Sequence, residues 1–221
     1  MNKVMKYTIG CLGALLALSS LSLADQAQAV SLFDGKSLQG WKVLNEQNAA
    51  YWSVKDGEIL CSSGGEKMPR NTYLYTEKEY GDFMFTCKFR LSGDPATGLI
   101  NSGIQYRSAL GKKGPHNIII GYQADIGKDW WGGIFDEHRR KVIYRAKPEA
   151  LLASNRFKDD NWHTYCIICK GNHHRLYING ILTADYLELD QDIPAKGIIA
   201  LQLHGGGICQ IQWKDLTIKP L

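Results

Sequence analysis

Between Phe83 and Leu91 the chain alternates: Phe83, Phe85, Cys87, Phe89 and Leu91 interleave with Met84, Thr86, Lys88 and Arg90. Successive side chains of an extended strand point to opposite faces, so a period of two over nine residues dictates a strand with one buried face. The rest of the chain reads the same way. Trp52-Ser-Val-Lys-Asp-Gly-Glu-Ile-Leu60 places Asp-Gly between two short apolar runs, and Asn179-Gly180 separates Leu176–Ile178 from Leu182–Ala184. Both are hairpin signals, because Asn, Asp and Gly tolerate the positive φ of a tight turn. Further strands are predicted at Ser102–Ser108, Asn117–Ile126, Lys141–Ala146, Trp162–Lys170, Ile198–His204 and Cys209–Ile218, and a helical turn or two only at Pro148–Ser154. Many short strands, no helical crossover, no internal repeat and no Pro/Ser-rich linker predict an all-β, two-sheet antiparallel sandwich.

The first 29 residues stand apart from that pattern. Lys3 and Lys6 precede an apolar stretch from Ile9 to Leu23, and Ala27-Gln28-Ala29 supplies small residues where a signal peptidase reads. Residues 1–29 are therefore expected to be a signal peptide, with cleavage after Ala24 as the alternative, and residues 30–221 a single domain. The apolar run is shorter than the ~20 residues a membrane span needs. The expectation is an exported bacterial protein, periplasmic or secreted, with no stable membrane insertion once the signal is removed. Cys11 follows Thr8-Ile9-Gly10, a poor lipobox. The whole chain carries a net charge of only +4 and no basic run, which argues against nucleic acid as a partner. Outside the leader the cysteines are Cys61, Cys87, Cys166, Cys169 and Cys209. Cys166 and Cys169 have C-x-x-C spacing, but three residues apart on a strand they face opposite ways, so buried thiols are expected rather than a redox or zinc pair.

Alternation also sorts the polar side chains. Gln123 and Asp125 share one face of their strand, opposite Tyr122 and Ala124. Gln105 and Arg107 oppose Ile104 and Tyr106; Gln202 and His204 oppose Leu201 and Leu203. Gln210, Gln212 and Lys214 oppose Cys209, Ile211 and Trp213, while Lys88 and Arg90 oppose the phenylalanines. Five faces carrying amides, His, Arg and Asp suit a concave sheet that hydrogen-bonds sugar hydroxyls, since these groups both donate and accept.

The densest chemistry lies in Gly121-Tyr-Gln-Ala-Asp-Ile-Gly-Lys-Asp-Trp-Trp-Gly-Gly-Ile-Phe-Asp-Glu-His-Arg-Arg140. Indole faces stack on pyranose rings, while carboxylates and guanidinium groups bind hydroxyls or move protons. The plainer alternative is a surface loop with ion pairs from Asp136 to Arg139 or from Glu137 to Arg140. No nucleophile elbow, zinc-protease helix or phosphate loop is present. The E-x-D-x-E spacing of retaining glucanases is missing too, which weighs against an ordinary two-carboxylate glycosidase. His173 and His174 fall near a hairpin tip and are expected to be solvated.

Leu32-Phe-Asp-Gly-Lys-Ser-Leu-Gln-Gly-Trp41, Asn101-Ser-Gly-Ile-Gln-Tyr-Arg107, Gly121-Tyr-Gln-Ala-Asp-Ile-Gly127, Trp131-Gly-Gly-Ile-Phe-Asp-Glu137, Leu201-Gln-Leu-His204 and Ile211-Gln-Trp-Lys-Asp-Leu-Thr-Ile-Lys219 together resemble the 3-keto-disaccharide hydrolase domain, formerly DUF1080. The resemblance spans residues 31 to 221. It implies a jelly roll of the concanavalin A-like lectin/glucanase type, and an enzyme that cleaves glycosides already oxidised at C3. A C3 ketone acidifies the C2 proton; a base removes it, the C1 substituent is eliminated, and water adds back. On that reading Asp125 or His204 is the base and Glu137 or Asp136 the acid. Arg107 polarises the ketone, and Gln105, Gln123, Gln202, Trp131, Arg140 and Asn101 hold the sugar. No cofactor is implied, although Asp125, Asp136 and His204 could hold a divalent metal if the fold gathers them. The family sometimes has Glu where this chain has Gln123, so a charged catalyst at that position is not expected. The competing functions are a non-catalytic carbohydrate-binding module and a glycosidase acting on unoxidised sugar.

Overall fold

A computed structural model of the chain describes residues 28–154, 157–158 and 160–221. All but the last two residues of the expected signal peptide lie outside these. The strands, in order, are β1 (Val30–Ser31), β2 (Trp41–Val43), β3 (Trp52–Lys55), β4 (Glu58–Ser62), β5 (Thr72–Tyr80), β6 (Phe83–Asp94), β7 (Asn101–Lys113), β8 (His116–Gly127), β9 (Ile134–Glu137), β10 (Lys141–Tyr144), β11 (His163–Lys170), β12 (His173–Ile178), β13 (Ile181–Leu187), β14 (Gly197–Leu203) and β15 (Ile208–Pro220). The expected helical turn is α1 (Glu149–Leu152). One sheet runs β13-β12-β11-β6-β15-β4-β3, with β1 added beside β15; the other runs β10-β9-β8-β7-β14-β5-β2. The molecule is thus an all-β sandwich of two antiparallel sheets.

Local chemistry sets the hairpins. Asp56 (φ 52°) and Gly57 (φ 77°) join β3 to β4, and Asn179 (φ 52°) and Gly180 (φ 80°) join β12 to β13. Two successive left-handed residues twist the turn to match the strands it connects. Between the sheets lie Phe83, Phe85, Phe89 and Leu91 of β6, Tyr165 and Ile167 of β11, and Trp213 of β15. They pack in one core with Ile104, Tyr122, Ala124, Leu201 and Leu203 of the second sheet. Each large apolar side chain so buried contributes about 1.5–3 kcal/mol.

One expectation about the polar faces fails. β6 and β15 pair with each other, so Lys88, Arg90, Gln212 and Lys214 belong to the outside of the first sheet. There Arg90 donates to Gln212 Oε1 at 2.8 Å, and Lys214 pairs with Glu58 at 3.2 Å. Only β7, β8 and β14 bring their polar faces together.

The β7–β8 ladder is broken by a bulge. Tyr106 pairs with Tyr122, but the next registered pair is Ala109 with Ile120, so β7 carries one extra residue. Arg107 absorbs it with φ 46°. A left-handed conformation at such a residue costs about 1–3 kcal/mol and needs compensation elsewhere. The described cysteines are free thiols. Cys169 faces the core, and burial pushes its thiol up to about 12, so it stays protonated.

Candidate active site

The site begins with strand parity. Gln123 and Asp125 share the outer face of β8, and β9 pairs Glu137 with Gly121 and Phe135 with Gln123. Glu137 and Phe135 therefore stand on the same face as Gln123 and Asp125. On the far side of β8, Asn101, Gly103 and Gln105 of β7 come alongside, and Gln202 of β14 lies beyond Gly103. These strands gather Asn101, Gln123, Asp125, Glu137 and His204, with Trp130, around a hollow of about 250 Å³.

Three glutamines brace its floor. Gln105 Nε2 donates to Gln123 Oε1 at 3.1 Å, and Gln202 Nε2 donates to the same oxygen at 2.7 Å. With its oxygen saturated, Gln123 turns its Nε2 to Asp125 Oδ1 at 2.7 Å. Gln202 also reaches the Tyr73 hydroxyl at 3.1 Å. The lattice needs a glycine between its members: a Cβ on Gly103 would stand 2.6 Å from Gln123 Cγ and Cδ. Gln105 and Gln202 are fully buried, so they position Gln123 rather than meet a ligand themselves.

Asp125 is 4% exposed. Burial raises its pKa to about 8, against the Gln123 hydrogen bond and with a further push from Glu137. It is thus a neutral carboxylic acid at pH 7, a proton donor instead of an anion. Burial also raises Glu137, opposed by the charge of Lys113. His204 completes the set. Its Nδ1 lies 2.6 Å from the Gly205 carbonyl oxygen. A carbonyl only accepts, so Nδ1 carries the hydrogen, and in the neutral ring the lone pair belongs to Nε2. One hollow therefore holds a base, a neutral acid and a second carboxyl with raised proton affinity.

Four expected site residues lie elsewhere. Arg107 donates to the Gly81 and Gly171 carbonyls at 2.9 and 2.7 Å and to Asp82 at 2.8 Å, away from Asp125. The bulge reverses its parity and re-aims it. Asp136 alternates with Glu137 and so faces the other way, fully buried, held by Arg139 at 2.8 Å and Arg140 at 2.6 Å. Arg140 also grips Glu188 at 2.7 Å, and Tyr122 donates to Glu188 at 2.6 Å. Trp131 packs inward on Phe157 and Phe89, with ring centres 4.9 and 6.3 Å away. Its neighbour Trp130 is the indole that borders the hollow. With Asp136 turned away, Asp125, Asp136 and His204 form no metal trio; among the described residues no cluster of three or more His, Cys, Asp or Glu could hold a metal. His174, expected to be solvated, is buried against Tyr106 and Tyr122, where desolvation first and Arg107 second pull its pKa down to about 3.

Sequence reasoning missed Trp130, Gly103, Tyr73 and the walls of two adjoining hollows. One, of about 450 Å³, shares Asp125 and Trp130 and is lined by Val142, Tyr144 and Leu152. The other, of about 620 Å³, shares His204 and is lined by Arg70, Lys113, His116 and His138.

A family model described as a 3-keto-alpha-glucoside-1,2-lyase-like domain matches residues 28–219. No match was found among curated protein sequences. Among solved structures, a Parabacteroides distasonis protein provisionally described as a glycosyl hydrolase is 19% identical with a TM-score of 0.62, covering 87% of this chain and 94% of its own. The carbohydrate-binding module CBM66 of Bacillus subtilis is 13% identical with a TM-score of 0.56, covering 81% and 95%. A β-1,3-1,4-glucanase (lichenase) from a mouse hindgut metagenome is 18% identical with a TM-score of 0.55, covering 88% and 99%. At these identities the likeness establishes the concanavalin A-like fold.

Proposed function

The chain belongs to the 3-keto-alpha-glucoside-1,2-lyase-like family, and from that premise we propose that it cleaves C3-oxidised glycosides by elimination across C1–C2, followed by hydration. The observation that carries this reading is the placing of His204, its Nδ1 turned to the Gly205 carbonyl, and a neutral, buried Asp125 around one hollow. His204 takes the proton from C2, and the electron pair moves into an enolate on the C3 oxygen. Asp125 donates a hydrogen bond to that oxygen as its charge grows, the use to which a neutral carboxylic acid is suited. Asn101 supplies a further amide donor. The enolate then collapses, C1=C2 forms, the C1–O bond breaks, and Glu137 gives its proton to the departing oxygen. Water adds to C1 of the resulting enone and a proton returns to C2, which completes a net hydrolysis. Trp130 supplies an apolar face for the ring. These roles differ from the sequence expectation in giving the ketone to Asp125 instead of Arg107. A leader that directs export would bring such an enzyme to sugars outside the cytoplasm, and we propose that residues 1–29 do so.

The test is to offer a 3-oxo-glucoside beside its parent glucoside and follow aglycone release together with the ultraviolet absorbance of the conjugated enone. Turnover of the oxidised sugar alone supports the reading. Turnover of both sugars, or binding without turnover, overturns it in favour of an ordinary glycosidase or a binding module.

A further inference from the structure

The hollow beyond His204 brings together basic side chains from three parts of the chain. Arg70 comes from the approach to β5, Lys113 and His116 from the β7–β8 hairpin, His138 from the end of β9, and among the described residues no carboxylate lines it. Arg70 contacts His116. Neither Arg70 nor Lys113 forms an ion pair with any described residue, although ion pairs are made elsewhere on the surface by Lys42, Lys88, Lys196 and Lys214. Asn45 and Asn71, two of the amides between them, are committed to the wall. Asn45 exchanges hydrogen bonds with the Asn117 backbone, and Asn71 accepts from Gly205 N at 2.9 Å while donating to Tyr73. The wall is thus braced, while its cations are left to repel one another. Like charges gathered in a cleft without counter-ions raise the local concentration of anions there.

The position of this hollow relative to the chemistry is also fixed. His204 borders both hollows, and Glu137 feels the charge of Lys113. Tyr73 lines the basic hollow and is joined through Gln202 and Gln123 to Asp125. The basic hollow therefore lies on the side of Glu137, the group that protonates the leaving oxygen in the reaction above. The hollow on the Trp130 side mixes charges, with Lys128 and Arg145 beside Asp125 and Asp129.

From this we propose that the aglycone occupies the Arg70–Lys113–His138 hollow and that the preferred substrates carry an anionic group there, a carboxylate, sulfate or phosphate on the unit leaving from C1. The proposal rests on the elimination reading for its orientation. It assigns the substrate class: acidic glycosides, oxidised at C3 of the neutral ring.

The experiment uses phenyl 3-oxo-glucosides whose ring bears a methyl, carboxymethyl, sulfomethyl or phosphonomethyl group, so that the charge changes with little effect on the leaving oxygen. The readout is the ratio of kcat/KM for each anionic substrate to that for the methyl one. A ratio of about ten or more at low ionic strength is expected, shrinking with added salt and falling to near one in Arg70→Gln/Lys113→Gln. Taking the ratio cancels any effect of Lys113 on Glu137. The arm with the largest ratio identifies the anion. A ratio near one in the wild type, or one that survives the double substitution, overturns the proposal while leaving the elimination reading intact. Should no oxidised substrate turn over, the elimination reading fails, and calorimetry with the matched unoxidised glycosides still tests the pocket: tighter binding of the anionic ones, abolished by the double substitution, upholds it, and equal binding overturns it.

Discussion

Replacing Asp125 by Asn should make the protein more stable, and increasingly so as the pH rises. Asp125 is neutral when buried, with a pKa raised to about 8 from the 3.8 of an exposed Asp. An unfolded chain releases that proton near pH 4, whereas the folded chain keeps it until about pH 8. Between those limits folding takes up a proton, so its stability falls as the pH rises. The stability contributed by the neutral acid is present in full below pH 3.8 and lost on the way to pH 8. For one proton the slope is about 1.4 kcal/mol per pH unit. Asn keeps the shape and still accepts from Gln123 Nε2, but has no proton to lose. The stability difference between Asp125→Asn and wild type should therefore widen by about 1.4 kcal/mol per unit between pH 5 and 7, and flatten above pH 8. Urea unfolding at pH 5, 6, 7 and 8 measures it, since a shift in midpoint at constant m reads stability directly. A difference that stays constant across this range would show that Asp125 is charged in the fold, and the neutral-donor role would go with it. The same variant should lose most of its turnover.

Three further outcomes follow from the geometry. Replacing His204 with Gln should lower kcat by about 10²–10⁴, the usual worth of a general base, with circular dichroism and melting unchanged; a loss under tenfold would remove His204 from the chemistry. Gly103→Ala should displace Gln123 and lower kcat while the sheet stays folded, because its Cβ meets the Gln123 side chain at 2.6 Å; an unaltered rate would show that the glutamine lattice has no bearing on the site. Trp131→Ala should destabilise the fold by about 3–5 kcal/mol, whereas Trp130→Ala should raise KM with little change in melting temperature. The reverse pattern would mean that the two indoles have exchanged roles.

Much of the fold could be read from the chain, because alternation and Asp-Gly or Asn-Gly turns act over a few residues. That Gln105, Gln123, Asp125 and Gln202 share a face was legible for the same reason. Which sheet a strand joins is not a local property, so Arg90 and Gln212 were expected beside them and lie instead on the other sheet. Asp136 could have been excluded by parity alone, since neighbours on a strand cannot both point into one hollow. The choice between Trp130 and Trp131 could not, because the Gly-Gly turn after them breaks the pattern. Arg107 gave no warning at all: nothing in its side chain announces a left-handed backbone. His174 was misjudged from its place near a turn, where Tyr106, Tyr122 and Tyr186 in fact close over it.

The extra residue at Arg107 has a bearing on how this strand can tolerate change. Upstream of it odd-numbered positions look outward, as Gln105 does; one step downstream the outward residue is Ser108, whose hydroxyl donates to the Gln105 side chain at 3.1 Å. A frame-preserving loss of the Arg107 codon would restore even spacing and leave Gln105, Ser108 and Leu110 on the faces they now occupy, because β8 runs past this point without an extra residue. What the strand gains by carrying the extra residue is the Arg107 side chain itself, which ties β7 to Gly81, Gly171 and Asp82, so a chain one residue shorter between Tyr106 and Ala109 should keep its outward face and lose that tie.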